Sequence, residues 1–232
     1  MRNVRKPLII AVIVLFVLAI AKDQIIKAAV TIGVSKAVGA PVHIDGMSVG
    51  IFRQSVRIRG FKMYNPSGFP RGPMVDIPVI SVEYDLAAIL RGDLHLPLLV
   101  LDLKEMILVK NKEGRLNVDA LKVVQNKGTK PSKAMALRID TAVLDLGQVM
   151  VKDYTGGERP GVQTYNIGVH HKTYRNIKSV EQLIVLVMIE AMKPTAIKSA
   201  GIYSAAGVLG VAFLPVVAAG VVFDKVYQRI HK

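Results

Sequence analysis

The chain contains neither cysteine nor tryptophan among its 232 residues. Without cysteine there are no disulfides, no thiolate nucleophile and no Cys-ligated zinc, while the compartment stays open because many envelope proteins also lack it. Without tryptophan no Trp belt can mark a bilayer boundary. Acids are scarce beside bases, 17 against 31, leaving a formal charge of +14. A balance that basic points to phosphate partners, either nucleic acid or anionic lipid headgroups. Catalytic signatures are missing too: no G-x-S-x-G, P-loop, G-x-G-x-x-G or H-E-x-x-H occurs. His43 and His95 stand alone in strand patterns. His170 and His171 are neighbours, and on a strand they would point to opposite faces, unable to share one ion. Asp145 and Asp153 have no third group beside them to make a catalytic pair. Asn65 precedes Pro66, which removes a glycosylation sequon. No catalytic residue, metal site or cofactor is expected, and the chain does not read as an enzyme.

What is abundant is apolar. Hydrophobic residues make up 51% of the chain and mean hydropathy is +0.39, with the excess at the two ends. After Arg2, Arg5, Lys6 and Pro7 runs an uncharged stretch from Leu8 to Ala21. As a helix it rises about 21 Å, short of the roughly 30 Å hydrocarbon core. Ile25 and Ile26 extend it if Lys22 snorkels, and Pro7 suits a helix start. The bases before it favour a cytoplasmic N-terminus. Ala19-Ile20-Ala21 also fits a signal-peptide cleavage site; anchored or cleaved, the bulk of the chain leaves the cytoplasm. At the other end Ser199 to Phe223 carries no charge and is long enough to span. Ala206-x-x-x-Gly210 suits close helix contact, whereas Pro215 and four glycines weaken the helix. A hairpin lying on the bilayer or under the domain is the other reading of that stretch. Ser179-Val-Glu-Gln182 reads as a capping box opening an apolar helix that Pro194 stops.

From about Val42 to Ile167 the period changes to two. Val56 and Ile58 alternate with Arg57 and Arg59, and at Gly60 the phase flips to Phe61 and Met63, which a β-bulge would explain. Ile80, Val82, Tyr84 and Leu86 alternate with polar residues. Leu94, Leu96 and Leu98 alternate until Leu98 to Leu101 turns apolar on both faces. Leu137, Ile139 and Val143 begin a further strand pair reaching Val151. Turn signals at Asn65-Pro66-Ser67-Gly68, Arg91-Gly92-Asp93, Lys112-Glu113-Gly114 and Thr155-Gly156-Gly157 separate the runs. The expected fold is mainly β with terminal helices: a curved, largely antiparallel sheet of roughly seven to nine strands, with a short helix near Asn117 to Val124 and a basic loop from Lys122 to Arg138. Residues 1–40 form the anchor and stalk, 41–178 the β domain, and 179–232 a membrane-associated or second transmembrane segment.

Several segments in order carry a family resemblance: Ile58-Arg-Gly-Phe-Lys-Met-Tyr64 closed by Asn65-Pro-Ser-Gly-Phe69, then Ile80-Ser-Val-Glu-Tyr-Asp85, Leu90-Arg-Gly-Asp-Leu94, and Asn111-Lys-Glu-Gly-Arg-Leu-Asn-Val-Asp-Ala-Leu121. With the anchor ahead of them, they resemble the N-terminal module of AsmA-like proteins over the anchor and about 80 residues beyond it. The resemblance implies a bacterial inner-membrane protein with a periplasmic β-groove of the bridge-like lipid-transfer kind, linked to phospholipid traffic and outer-membrane upkeep. Nine strands spaced about 4.8 Å apart would give a groove of only about 40 to 45 Å, so spanning an envelope would take self-assembly or another envelope protein. Val56, Ile58, Val82, Tyr84, Leu98, Val100 and Ile139 are expected to line the groove. Lys172, Arg175 and Lys178, beside an apolar helix, are expected to meet lipid headgroups. A structural membrane scaffold without lipid cargo is the alternative. Nucleic-acid binding fits the charge but lacks aromatic residues set among strand positions and lies on the wrong side of the membrane.

Overall fold

The computed structural model describes residues 5–122 and 137–191, and the side chains of all of these except 5–20 and 181. A long helix, α1 (Arg5–Val38), leads into β1 (Val42–Gly50), β2 (Ser55–Tyr64) and β3 (Pro73–Glu83). A short helix α2 (Leu86–Leu90) precedes β4 (Leu94–Lys110), a 3-10 turn (Asn117–Ala120), β5 (Leu137–Asp153), β6 (Gly161–Ile177) and α3 (Val180–Ala191). The strands form one open sheet in chain order, β1 to β6.

Several expectations change. The described sheet has six strands rather than seven to nine, because β4, β5 and β6 are single strands of 17 residues each. The stretch His170 to Lys178, expected as a basic, headgroup-facing segment abutting an apolar helix, supplies the end of β6 as far as Ile177. At about 4.8 Å per strand the sheet is only about 24 Å wide. The sheet is also mixed. β4 and β5 run parallel, while every other neighbouring pair is antiparallel. A parallel pair requires a crossover, and the chain between Lys110 and Leu137 makes it. Of the helix expected at Asn117 to Val124, residues 123 and 124 lie outside the described residues; Asn117–Ala120 form a 3-10 turn whose N-cap is Leu116 rather than Asn117.

Gly60 flips the phase of β2 without a bulge. Pairing with β1 runs on unbroken past it, from Ile44↔Phe61 to Gly46↔Arg59. The flip comes from its left-handed backbone, φ +60°, opposite Asp45. A side chain there would be doubly unwelcome: the conformation disfavours L-residues, and a Cβ would stand 1.9 Å from Asp45 Oδ2.

One face of the sheet is apolar and forms a single core with Ile26, Val30, Val34 and Val38 of α1, Val185, Leu186 and Met188 of α3, and Leu116, Val118 and Leu121 of the crossover. α1 lies along β1 and occupies its free edge: Lys22 Nζ donates to Val49 O at 2.6 Å, and Val49 N–H donates to Asp23 Oδ1 at 3.1 Å. An edge strand so covered cannot template further pairing. α3 packs on β5 and β6. Its capping box forms in part, Gln182 N–H donating to Ser179 Oγ, while the Gln182 side chain accepts from Lys178 N–H rather than from Ser179.

Among the described residues no helix is long and apolar enough to cross a membrane. The run Leu8 to Ala21 falls, apart from Ala21, where side chains are not described, and the stretch Ser199 to Phe223 lies outside the described residues. So does most of the expected loop Lys122 to Arg138.

Candidate functional site

Strand register assigns each expected groove residue to a face. One apolar row crosses all six strands: Val49, Val56, Val82, Leu99, Ala142 and Tyr174 are successive partners. The next row is Met47, Ile58, Ile80, Leu101, Leu144 and Lys172. Val56, Ile58 and Val82 therefore share the core face. Ile139 joins it between Leu96 and Ile177. Tyr84 is buried in the same core, its hydroxyl donating to Gly50 O.

Leu98 and Val100 do not. Val82 pairs with Leu99, so its neighbours Leu98 and Val100 point to the opposite side, in the rows Ser55–Glu83–Leu98–Thr141–Arg175 and Ser48–Arg57–Ser81–Val100–Val143–Thr173. The pattern could not have shown this, because Leu98 to Leu101 is apolar at every position and a shift of one residue exchanges the faces. That second face is polar. A cleft of about 790 Å³ there is lined by Arg57, Ser81, Val100, Asp102, Asp145 and His171, among others.

On the core face the middle-strand side chains Ile58, Ile80, Leu99 and Leu101 are each no more than 8% exposed. Among the described helices, α1 packs at the β1 side and α3 at the β5–β6 side, with α2 and the 3-10 turn touching β4.

The three bases expected at headgroups are not brought together. Lys172 closes an apolar row and pairs with the buried carboxylate of Glu190 on α3, Nζ to Oε1 2.6 Å. Tyr174 donates its hydroxyl to the same oxygen, and Lys172 Nζ lies 5.7 Å from its ring centre. Burial, then the Glu190 carboxylate, push the Tyr174 phenol far above its ordinary value. Arg175 lies on the polar face opposite Thr141. Lys178 follows β6, exposed. The signal for the buried cluster was in the sequence: Glu190 ends an otherwise uncharged apolar run, and a lone acid there requires a partner.

His95 is not alone either. Its Nε2 lies 2.7 Å from Asp140 Oδ2 and its Nδ1 3.4 Å from Asp85 Oδ2, while Arg138 Nη2 stands within 3.2 Å of both ring nitrogens. Asp85 also caps α2, accepting from Ala88 N–H; that bond, then His95, holds its carboxyl below the usual range. The carboxylates grip opposite edges of the ring instead of converging on one point, so the cluster ties α2 to β5. Nor do His170 and His171 diverge. His171 has φ +49°, and both rings approach Asp145 Oδ1, at 4.0 and 3.5 Å. Among the described residues no group of three or more His, Asp or Glu could hold a metal ion.

Asn65 and Asn117, which lie in two of the segments that carry the family resemblance, bond to each other. Asn117 Nδ2 donates to Asn65 Oδ1 at 2.7 Å and to Ile107 O, and its Oδ1 accepts from Val109 N–H. Asn65 Nδ2 donates to Pro70 O. The two segments thus meet in one network that fixes the turn after β2 to the crossover beside β4. No family model, curated protein or solved structure matches this chain.

Proposed function

We propose that the chain is a membrane-anchored envelope protein that binds or passes phospholipid by laying acyl chains along the apolar face of its sheet, in the manner of the AsmA-like module it resembles. The carrying observation is the apolar face itself, unbroken from β1 to β6 in a sheet that does not close, with α1 at one side and α3 at the other. An acyl chain needs only dispersion contacts and exclusion from water, about 0.8 kcal/mol per buried CH₂, and rows of Val, Ile and Leu supply both. The uncharged run Leu8 to Ala21 and the bases before it support an inner-membrane anchor with a cytoplasmic N-terminus and a periplasmic sheet. A sheet about 24 Å wide does not bridge two membranes, so transfer takes a second copy or another envelope protein.

The burial of Ile58, Ile80, Leu99 and Leu101 favours a second reading, a membrane scaffold whose apolar face is simply its core. Lipid mass spectrometry on gently solubilised full-length protein separates the two, with one variant on each face. V82D places a carboxylate on the apolar rows and is expected to abolish co-purified phospholipid; V100D, on the polar face, is expected to retain it. Wild-type protein free of lipid makes the scaffold reading the right one.

A further inference from the structure

The turns and termini at one end of the sheet carry solvent-exposed apolar side chains. Phe52, in the turn between β1 and β2, is fully exposed at 102%, and Ile51 beside it is 48% exposed. Leu90, last in α2, is 80% exposed and Val180, first in α3, 42%. Strand pairing puts all four at the same end: β2 begins at Ser55 opposite Glu83 at the end of β3, β4 begins at Leu94 opposite Leu137, and β6 ends at Ile177 opposite Ile139. Of the remaining exposed large hydrophobic residues among the described ones, Ile25 and Ile32 lie on α1 and Val162 near the start of β6.

The tips are held, not loose. Gln54, at φ +47°, takes Tyr84 N–H on its backbone oxygen and Leu86 N–H on its side chain, locking the Phe52 turn to α2. A base adjoins each tip: Arg53 follows Phe52, Arg91 follows Leu90, and Lys178 precedes Val180 by two residues. Of the acids at this end, Asp23 is paired with Lys22, and Asp85 and Asp140 grip His95; Glu83, Asp93 and Glu181, which follows Val180 in sequence, are the others.

Helix α1 says what these tips face. Lys22 and Asp23 bond Val49, two residues before the turn begins at Ile51. From there α1 continues back to Arg5, about 25 Å of helix at 1.5 Å per residue, and those residues contain the run Leu8 to Ala21. The apolar tips therefore stand at the level where the anchor leaves the domain. We infer that this end of the sheet is a membrane-docking rim: Ile51, Phe52, Leu90 and Val180 enter the headgroup–acyl boundary of the leaflet α1 crosses, with Arg53, Arg91 and Lys178 among its phosphates. The rim holds the sheet at a fixed tilt to the bilayer, with the ends of rows such as Val56–Val82–Leu99 against the leaflet from which a lipid would enter. The inference rests on the membrane-anchored reading above.

Because the chain has no tryptophan, one indole can report on each end. Full-length F52W and, as control, V162W near the start of β6 are reconstituted with vesicles of phosphatidylcholine and phosphatidylglycerol, then checked by flotation. The F52W indole is expected to emit at shorter wavelength than the V162W indole and to be quenched severalfold more by doxyl-labelled phospholipid, while V162W responds to aqueous acrylamide. Protein that floats while the F52W indole responds only to acrylamide overturns the rim and leaves the anchor standing. An F52W indole shielded from both quenchers shows a protein neighbour, a second copy or a partner, and overturns it equally. Protein that fails to float removes the anchored reading and the rim with it.

Discussion

The two ends of the sheet are built on opposite principles. At the end farthest from α1's N-terminal half, the turn after β2 and the crossover after β4 are joined through Asn65 and Asn117, with polar side chains bonding buried backbone. At the other end the turns carry Phe52, Leu90 and Val180 into solvent. The first arrangement serves folding, since a buried N–H or C=O left unpaired costs stability. The second leaves large apolar side chains in water, and on the docking inference above the phase they meet is the bilayer.

The largest effect is expected where that network is cut. Asn117 is fully buried, and N117A strands Val109 N–H, Ile107 C=O and one partner of Asn65 at once. A loss of about 3 kcal/mol follows if each stranded group costs 1 kcal/mol or more, read as a fall in the urea midpoint with an unchanged slope. A loss below about 1 kcal/mol would mean that the far end is no more constrained than the near one.

Midway along β2, G60A is expected to cost about 1–2 kcal/mol, the penalty of a left-handed alanine plus the displacement of Asp45. Asp45 is exposed enough for its carboxylate to swing away, so in a D45A background the same change should cost less, leaving the backbone penalty and the approach to the residue-45 Cβ, 2.9 Å away. Equal costs in both backgrounds would show that the contact with Asp45 is irrelevant.

A smaller effect is confined to alkaline pH. The Tyr174 phenol is raised by burial and by Glu190. The folded protein therefore keeps this proton after the unfolded chain has lost it at the ordinary phenol value of about 10. Stability from this group is fully present below that pH and declines above it, because folding there requires proton uptake. Unfolding free energies followed from pH 8 to pH 11 should fall more steeply in the wild type than in Y174F; parallel curves would refute the linkage.

Much of this architecture was legible in the alternation of residues, and its failures have physical causes. Val56, Ile58 and Val82 went to the correct common face because charged or polar neighbours alternate with them. Leu98 and Val100 did not, because Leu98 to Leu101 is apolar at every position and such a run carries no phase. Strand number was overestimated because length is not encoded in period: β4 changes phase between Leu103 and Met106, and β5 between Ile139 and Ala142 and again between Leu146 and Val149, while each remains one strand. The parallel pairing of β4 with β5 depends on a crossover path that no local pattern specifies. His95, Asp85 and Asp140 are up to 55 residues apart in sequence (Asp85 to Asp140) and meet only once that pairing is made. The rim escaped notice for a different reason. Phe52, Leu90 and Val180 are isolated apolar residues in turns or at helix ends, and singly such residues are ordinary surface; only the strand register shows that they share one end.

The smallest expected effect is the most telling about the near end. Phe52 and Leu90 contact little of the domain, so the double variant F52S with L90S should unfold within about 0.5 kcal/mol of the wild type. Removing two large apolar side chains from a core would cost several kcal/mol, so near-neutrality identifies groups that folding does not use. Calorimetry or urea unfolding of the full chain in mild detergent gives the number. A loss of about 2 kcal/mol or more would place both side chains in the domain's own packing, and the contrast between a far end built for folding and a near end built for contact would collapse.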